Sequence, residues 1–396
     1  MIDWNKPLTL AVKTLFGFED MLVEELKGLG AADVKKGNRI VHCTGNLETV
    51  YRACLESRLA LHVYVHIDSF WAKSEDELYE NTKKLNWESL IPTDKTFAID
   101  FTVYSPVFTH GKFASLKLKD AIVDRIRDKV GSRPYVDTEN PDYQLYLHVS
   151  DRKVDIYLDA AGESLHKREY RTATVAAPLN EVLAAGIVKI TEWDGQIDFI
   201  DPMCGSGTLA IEAAYIARNM PAGWFREDYG FMHWKNYDAE LWENIRENAR
   251  KNFRIFKGDM QIFDRSSKAI SIAKYNLNNA HLEKWVSAVA KPFEKLKPNR
   301  NKGVLIVNPP YGERMQMKDI IAFYKMIGNQ LKRNFSGWEA WVVSSNLEAM
   351  KFLGLRPDKK YKMFNGPLEV QLAKYTLFEG DLKTEKKKRR KRIGEK

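Results

Sequence analysis

Cysteine is scarce in this sequence. Cys43, Cys54 and Cys204 form an odd, widely spaced set with no Cys-x-x-Cys pair, which excludes a disulfide framework and argues against a zinc site. No metal is expected. Long apolar runs are missing too: none reaches the roughly 18 residues that a membrane-spanning helix requires. The start, Met1-Ile2-Asp3-Trp4-Asn5-Lys6-Pro7, lacks the charged-then-apolar order of a signal peptide. A cytoplasmic location with no membrane partner is therefore expected. What is present is a globular composition, 44% hydrophobic and 29% charged over 396 residues, long enough for two or three domains.

Two motifs carry chemistry. The first, Asn308-Pro309-Pro310-Tyr311, stands at the end of the apolar run Val304-Leu305-Ile306-Val307. An exocyclic amine on a nucleobase has its lone pair delocalised into the ring. Two oxygens close together can draw such a nitrogen toward tetrahedral geometry, and the Asn308 side-chain carbonyl and the Pro309 backbone carbonyl are candidates. The prolines fix the backbone, and Tyr311 offers a ring on which a base can stack. Taken alone, the tetrapeptide reads equally well as a stiff turn after a buried strand.

The second motif is the run from Ile197 to Ala214, which holds Asp201-Pro202-Met203-Cys204-Gly205-Ser206-Gly207-Thr208 and reads as strand, glycine turn and helix. Gly205 and Gly207 allow close backbone approach to a nucleotide-like ligand. The spacing also approximates a dinucleotide fingerprint, so an NAD-linked oxidoreductase is a rival. That rival requires an acidic residue at a strand end about 20 residues further on. None occurs there; an aromatic, polar segment with Trp224, Phe225, Trp234, Tyr237 and Trp242 intervenes before Met260-Gln261-Ile262-Phe263-Asp264. Asp264 suits the two hydroxyls of a ribose and equally suits the cap of a helix beginning near Ser266. Cys204, inside the turn, is a cofactor neighbour rather than a nucleophile.

Together with Ser164-Leu165-His166-Lys167-Arg168-Glu169-Tyr170-Arg171, Ala177-Pro178-Leu179, Gly312-Glu313-Arg314, the stretch Lys332 to Trp338 and Asn365-Gly366-Pro367-Leu368-Glu369, these residues resemble the THUMP-containing class I methyltransferases that make N2-methylguanosine in large-subunit (23S) ribosomal RNA. The resemblance runs from about residue 60 to about residue 378. It implies an α/β fold: a Rossmann-like methyltransferase domain with a doubly wound, mostly parallel seven-stranded sheet and one antiparallel strand, preceded by α+β ferredoxin-like and THUMP modules. It implies S-adenosyl-L-methionine as cofactor, held by Asp201, Pro202, Cys204, Gly205, Ser206, Gly207, Thr208 and Asp264, and guanine at Asn308, Pro309, Pro310 and Tyr311. Where such enzymes usually carry an acidic residue for the adenine amino group, this sequence has Pro292, so backbone groups or Glu294 are left to hold the adenine. Some relatives carry a second methyltransferase domain. This sequence has one, so the activity of the second is expected to be absent.

The implied domains are 1–69 ferredoxin-like, 70–160 THUMP, 161–178 connector, 179–380 methyltransferase and 381–396 a basic disordered tail. In the first, Leu8 to Thr14, Arg39 to Cys43 and Leu61 to Ile67 read as strands, and Phe18, Leu22, Leu26 and Leu29 as one helix face. In the second, a helix with Leu118, Ala121, Ile122, Ile126 and Val130 inward carries basic residues, and a hairpin turns at Ser150-Asp151-Arg152. RNA contacts are expected at Lys112, Phe113, Lys117, Arg125 and, beyond the tetrapeptide, Arg314. Neighbouring Asp120, Asp124 and Asp128 could instead neutralise the basic face. Asn180 is a candidate cap for a helix reaching about Ile190. The stretch 217–255 covers the cofactor, grips RNA, or is a packed aromatic cluster.

Of the net charge of +9, the tail holds nine Lys or Arg against three Asp or Glu, leaving +3 for everything before it. Such a run suits phosphate contacts without sequence preference, or simply solubilises. The partner expected is RNA, large-subunit rRNA first; the oligomeric state is not legible. The alternatives are a tRNA guanine-N2 methyltransferase, an adenine-N6 methyltransferase acting on RNA or DNA, and a catalytically silent RNA-binding ribosome-assembly factor.

Overall fold

Alternation of apolar and polar residues builds the first sheet. Leu8, Leu10 and Val12 line one buried face while Thr9 is exposed, the period-2 pattern of a strand, and Ala11 on the Thr9 face is buried in a second, smaller cluster. The computed structural model describes residues 2–174, 178–310 and 317–378, without the side chains of residues 317 and 318. The chain divides into two units. One holds the residues up to Lys167 together with Arg226–Lys251; the other holds Arg168–Phe225 and the described residues from Asn252 onward.

In the first unit, strands β1 (Leu8–Lys13), β2 (Ala32–Lys36), β3 (Ile40–Gly45), β4 (His62–Trp71), β5 (Thr96–Tyr104), β6 (Tyr135–Val136), β7 (Tyr143–Ser150) and β8 (Lys153–Asp159) form a single sheet in the order β2-β3-β1-β4-β8-β7-β5-β6. The helix face expected at Phe18, Leu22, Leu26 and Leu29 is buried. The β7–β8 hairpin turns where expected, with Asp151 in the left-handed region at φ 56°. The boundary expected at residue 69 falls inside β4. That strand pairs with β1 over His62 to Val65 and continues along β8 as far as Trp71, so the two N-terminal modules expected from the sequence share one sheet.

Arg226–Lys251, expected within 179–380, packs with the first unit. Its aromatics pack on Tyr51: the Phe231 ring stacks at 4.2 Å, Trp242 meets it edge-on at 6.1 Å, and the Tyr51 hydroxyl accepts from Asp238 N at 3.1 Å. Buried Arg226 donates to the carbonyls of Ala161, Glu163, Ser164 and Asp228. For Phe231, Trp234 and Trp242, all buried, the packed cluster is the reading that fits. Trp224 lies in the second unit, edge-on to Phe253 at 4.9 Å.

The second unit contains β9 (Asp198–Asp201), β10 (Met260–Asp264), β11 (Ser287–Ala290), β12 (Gly303–Val307), β13 (Glu339–Ser344), β14 (Lys359–Asn365) and β15 (Leu368–Thr376), in the order β11-β10-β9-β12-β13-β15-β14. Every pair is parallel except those of β15, which runs antiparallel to both neighbours. β12 is buried throughout, as a central parallel strand covered on both faces must be. The helix Glu181–Thr191 is capped by Asn180, whose Oδ1 accepts from Val182 N and Leu183 N at 3.0 and 3.2 Å. Residues 168–171, placed above in a connector, are bound into this unit: Tyr170 donates to Glu212 at 2.9 Å and Arg171 pairs with Glu181 at 2.6 Å. The strand order reverses between β9 and β12. Ligands bind at such a switch point, beyond the carboxyl ends of the strands. No described helix is long and apolar enough to cross a membrane.

Candidate active site

β9 and β12 are adjacent and parallel, so the two sequence motifs, about a hundred residues apart, leave the sheet at the same edge. They share one cleft of about 730 Å³, within the range of ligand pockets. Its lining includes Asp201, Pro202, Cys204, Gly205, Ser206, Thr208, Asp264, Asn308, Pro309 and Pro310. Gly207 lies just behind as the N-cap of helix Thr208–Ala217, with φ 84° and no side-chain cap. Gly205 is also left-handed, at φ 53°. Only glycine adopts these conformations cheaply, and the uncapped helix start leaves backbone N–H groups directed toward the cleft. Tyr311, Arg314 and the tail 381–396 lie outside the described residues.

Asp264 ties the turn in place. Its Oδ2 accepts from Gly205 N at 3.1 Å and its Oδ1 from Ser266 N at 2.8 Å. The helix that follows is capped by Ser266, which accepts from Ala269 N, so the capping role weighed for Asp264 falls to its neighbour. A carboxylate offers about four acceptor sites, and each Asp264 oxygen keeps one for a ligand hydroxyl.

Asp201 is buried, its Oδ1 accepting from Met203 N at 3.3 Å, and its Oδ2 has no partner. Burial, with the Asp264 carboxylate beside it, pushes its carboxyl up from 3.8 to about 8 against the pull of the Met203 N–H. The folded value lies above the unfolded one, so the protonated form's contribution to stability is complete below about pH 4 and lost as pH rises through about 8. Asp201→Asn should therefore gain melting temperature over the parent chain progressively between those values, measured by calorimetry without ligand. Parallel pH curves for the two would remove this assignment. Glu181, pushed up to about 7 mainly by burial, contributes a slope of the same sign, which the paired comparison cancels.

Cys204 is buried, and burial, followed by Asp201 and Asp264, holds its thiol well above its ordinary value. A thiol kept protonated is a poor nucleophile, in keeping with its place as a cleft neighbour. At the end of β12, Asn308 is half-buried and its Oδ1 has no hydrogen-bond partner. An orphaned acceptor in a cleft is a site for a ligand N–H.

The cleft has walls the motifs did not announce. Thr174, Pro178 and Leu179 form one; Phe323 and Met326, from the helix Met317–Asn334, form another with Phe293 and Glu294. Glu294 lines the cleft and Pro292 does not. The apolar period of that helix identifies an inward face but not which part of it meets an opening.

Apart from Arg314, the expected RNA contacts lie in the first unit. Lys112 is exposed, and Phe113 is 48% exposed, with the Lys117 ammonium 5.8 Å from its ring centroid. Lys117 lies 3.6 Å from Asp76. Arg125 makes a bidentate pair with Glu88, at 3.0 and 2.8 Å. The pair bridges two helices.

Three family models match the chain: an RMKL-like methyltransferase domain over residues 168–374, a THUMP domain over 72–159 and an RlmL ferredoxin-like domain over 9–64. A curated relative from Desulfotalea psychrophila, the ribosomal RNA large subunit methyltransferase K/L, is 36% identical over 92% of this chain and 52% of its own. The chain spans about half the length of the curated relatives it matches. Among solved structures, a possible methylase from Clostridium difficile 630 is 30% identical with a TM-score of 0.86, covering 95% of this chain and 100% of the other. SMU.472, provisionally described as a methyltransferase and complexed with SAH, is 28% identical with a TM-score of 0.85 over 95% and 100%.

Proposed function

Since this chain belongs to the family of RMKL-like methyltransferase domains, here joined to a THUMP domain and an RlmL ferredoxin-like domain, we propose that it methylates the exocyclic N2 amine of a guanine in large-subunit rRNA, with S-adenosylmethionine as donor. The observation that carries this reading is the meeting of Asn308, with its unpartnered Oδ1, and the Asp201–Thr208 turn in one cleft. The SAH-bound neighbour supports the donor class, and the rRNA relatives support the substrate class.

The residues present fit the donor. Gly205 and Gly207 let the backbone come close, Asp264 accepts from the ribose hydroxyls, Glu294 is the acidic side chain available to the adenine amine, and Asp201 offers a buried acceptor. Bound there, S-adenosylmethionine supplies an electrophilic sulfonium methyl. The Asn308 and Pro309 carbonyls accept the two N–H groups of the guanine amine and turn its lone pair toward that methyl. Orientation of this kind accounts for about 7 to 11 kcal/mol of a barrier. No base is needed first, because the proton leaves for water only after the nitrogen has become cationic. The guanine must be turned out of its stack, which costs a few kcal/mol and is easiest in single strands or bulges. Tyr311 then stacks on it, while Lys112, Phe113 and Lys117 contact RNA elsewhere.

Nucleoside mass spectrometry of rRNA and tRNA from cells with and without the gene tests this. N2-methylguanosine should disappear from large-subunit rRNA. Loss from tRNA alone would move the substrate, and loss of N6-methyladenosine would move the base. Complementation by a chain carrying both Lys112→Glu and Lys117→Glu should restore the mark poorly; full restoration would remove those two contacts.

A further inference from the structure

The helix Ser267–Asn279 turns Ala269, Ile270, Ala273 and Leu277 inward, and Asn276 occupies the same face with no exposed surface. A primary amide at a core position is costly unless its groups are used. The Nδ2 of Asn276 is fully used. It donates to the Ser206 carbonyl of the glycine turn at 2.9 Å and to the Ala173 carbonyl at 3.0 Å, while its Oδ1 has no partner. An apolar residue would have left no orphaned oxygen there, so the position is explained by its two donations.

Both acceptors lie at the cleft. Ser206 lines it directly, and Ala173 immediately precedes Thr174, which also lines it. That wall is held elsewhere too. One turn on, Asn279 Nδ2 donates to the Tyr170 carbonyl at 3.2 Å and to Thr172 Oγ1 at 3.0 Å, and Arg171 donates to the Leu179 carbonyl at 2.9 Å. Only Asn276 reaches both the turn and the wall with one side chain among the hydrogen bonds described. Two carbonyls far apart in sequence are thereby tied to one nitrogen at the edge of the cleft.

We propose that Asn276 is a positioning residue for the methyl donor, fixing the glycine turn against the 168–174 segment without touching the reacting atoms. The inference rests on the reading of this cleft as the donor site. Its effect should fall on donor affinity rather than on the methyl-transfer step, because Asn308 and Pro309 stand on a different strand.

Asn276→Asp keeps the shape and, ionised, removes both donations; Asn276→Ala removes the amide and serves if the aspartate variant does not fold. SAH is titrated calorimetrically into the full-length parent and variants, with thermal stability measured on the same samples. Steady-state methylation of extracted rRNA gives KM and kcat. The expected result is a rise of about tenfold or more in the SAH dissociation constant and in donor KM, with kcat at saturating donor close to the parent's. Parent-like SAH affinity in a folded variant overturns the inference, as does a variant that only melts earlier while its folded fraction binds normally. A parent chain that binds no SAH overturns the donor reading itself, and this inference with it.

Discussion

Asn308→Ala should turn over about ten- to 150-fold more slowly than the parent chain at saturating donor and RNA, the equivalent of one hydrogen bond of roughly 1.5 to 3 kcal/mol to a nitrogen acquiring charge. The bond is formed fully only as the amine becomes tetrahedral, so its loss appears in the chemical step and leaves donor affinity unchanged. The fold should not suffer. Asn308 Oδ1 has no partner to lose, and removing an unsatisfied carbonyl is neutral or favourable to stability. Single-turnover methylation separates the chemical step from product release, and SAH titration checks that the donor still binds. Parent-like single-turnover rates would leave the Asn308 carbonyl without its role.

Asp264→Ala acts on the other reactant. Loss of the carboxylate should weaken donor binding by about 1.5 to 3 kcal/mol, roughly ten- to 150-fold in the dissociation constant. Two effects combine in that number. The ribose hydroxyls lose their acceptor, and the Gly205 and Ser266 amides that Asp264 holds are released. Asp264→Asn should lose part of both, because one carbonyl oxygen survives to hold an amide while the second acceptor becomes a donor. Unchanged SAH affinity in folded Asp264→Ala would exclude the ribose assignment.

What could be read from the sequence was local. Asn180 announces its helix by residue type and places its side chain as the cap, and the β7–β8 hairpin turns at Asp151 because that residue tolerates the left-handed region. The two chemical motifs were legible because each joins a strand to a tight turn, and parallel strands deliver such turns to one edge. Non-local partners were not legible. Nothing around Arg125 in the sequence shows that Glu88 neutralises it, and nothing in the aromatic run near Trp242 names Tyr51 as its platform. Val130 has the period of an inward residue yet is 53% exposed, because the helix stops at Gly131 in the left-handed conformation and its last residue has no core to meet. Asn276 was hidden for a related reason: a polar residue among apolar ones signals a partner without saying which.

β4 pairs with both β1 and β8 and joins the two N-terminal modules in one sheet, with a register shift between His66 and Asp68 along β8. A hydrogen-bonded ladder has no hinge of its own, so a nucleic acid touching both modules would meet its contacts at a fixed spacing.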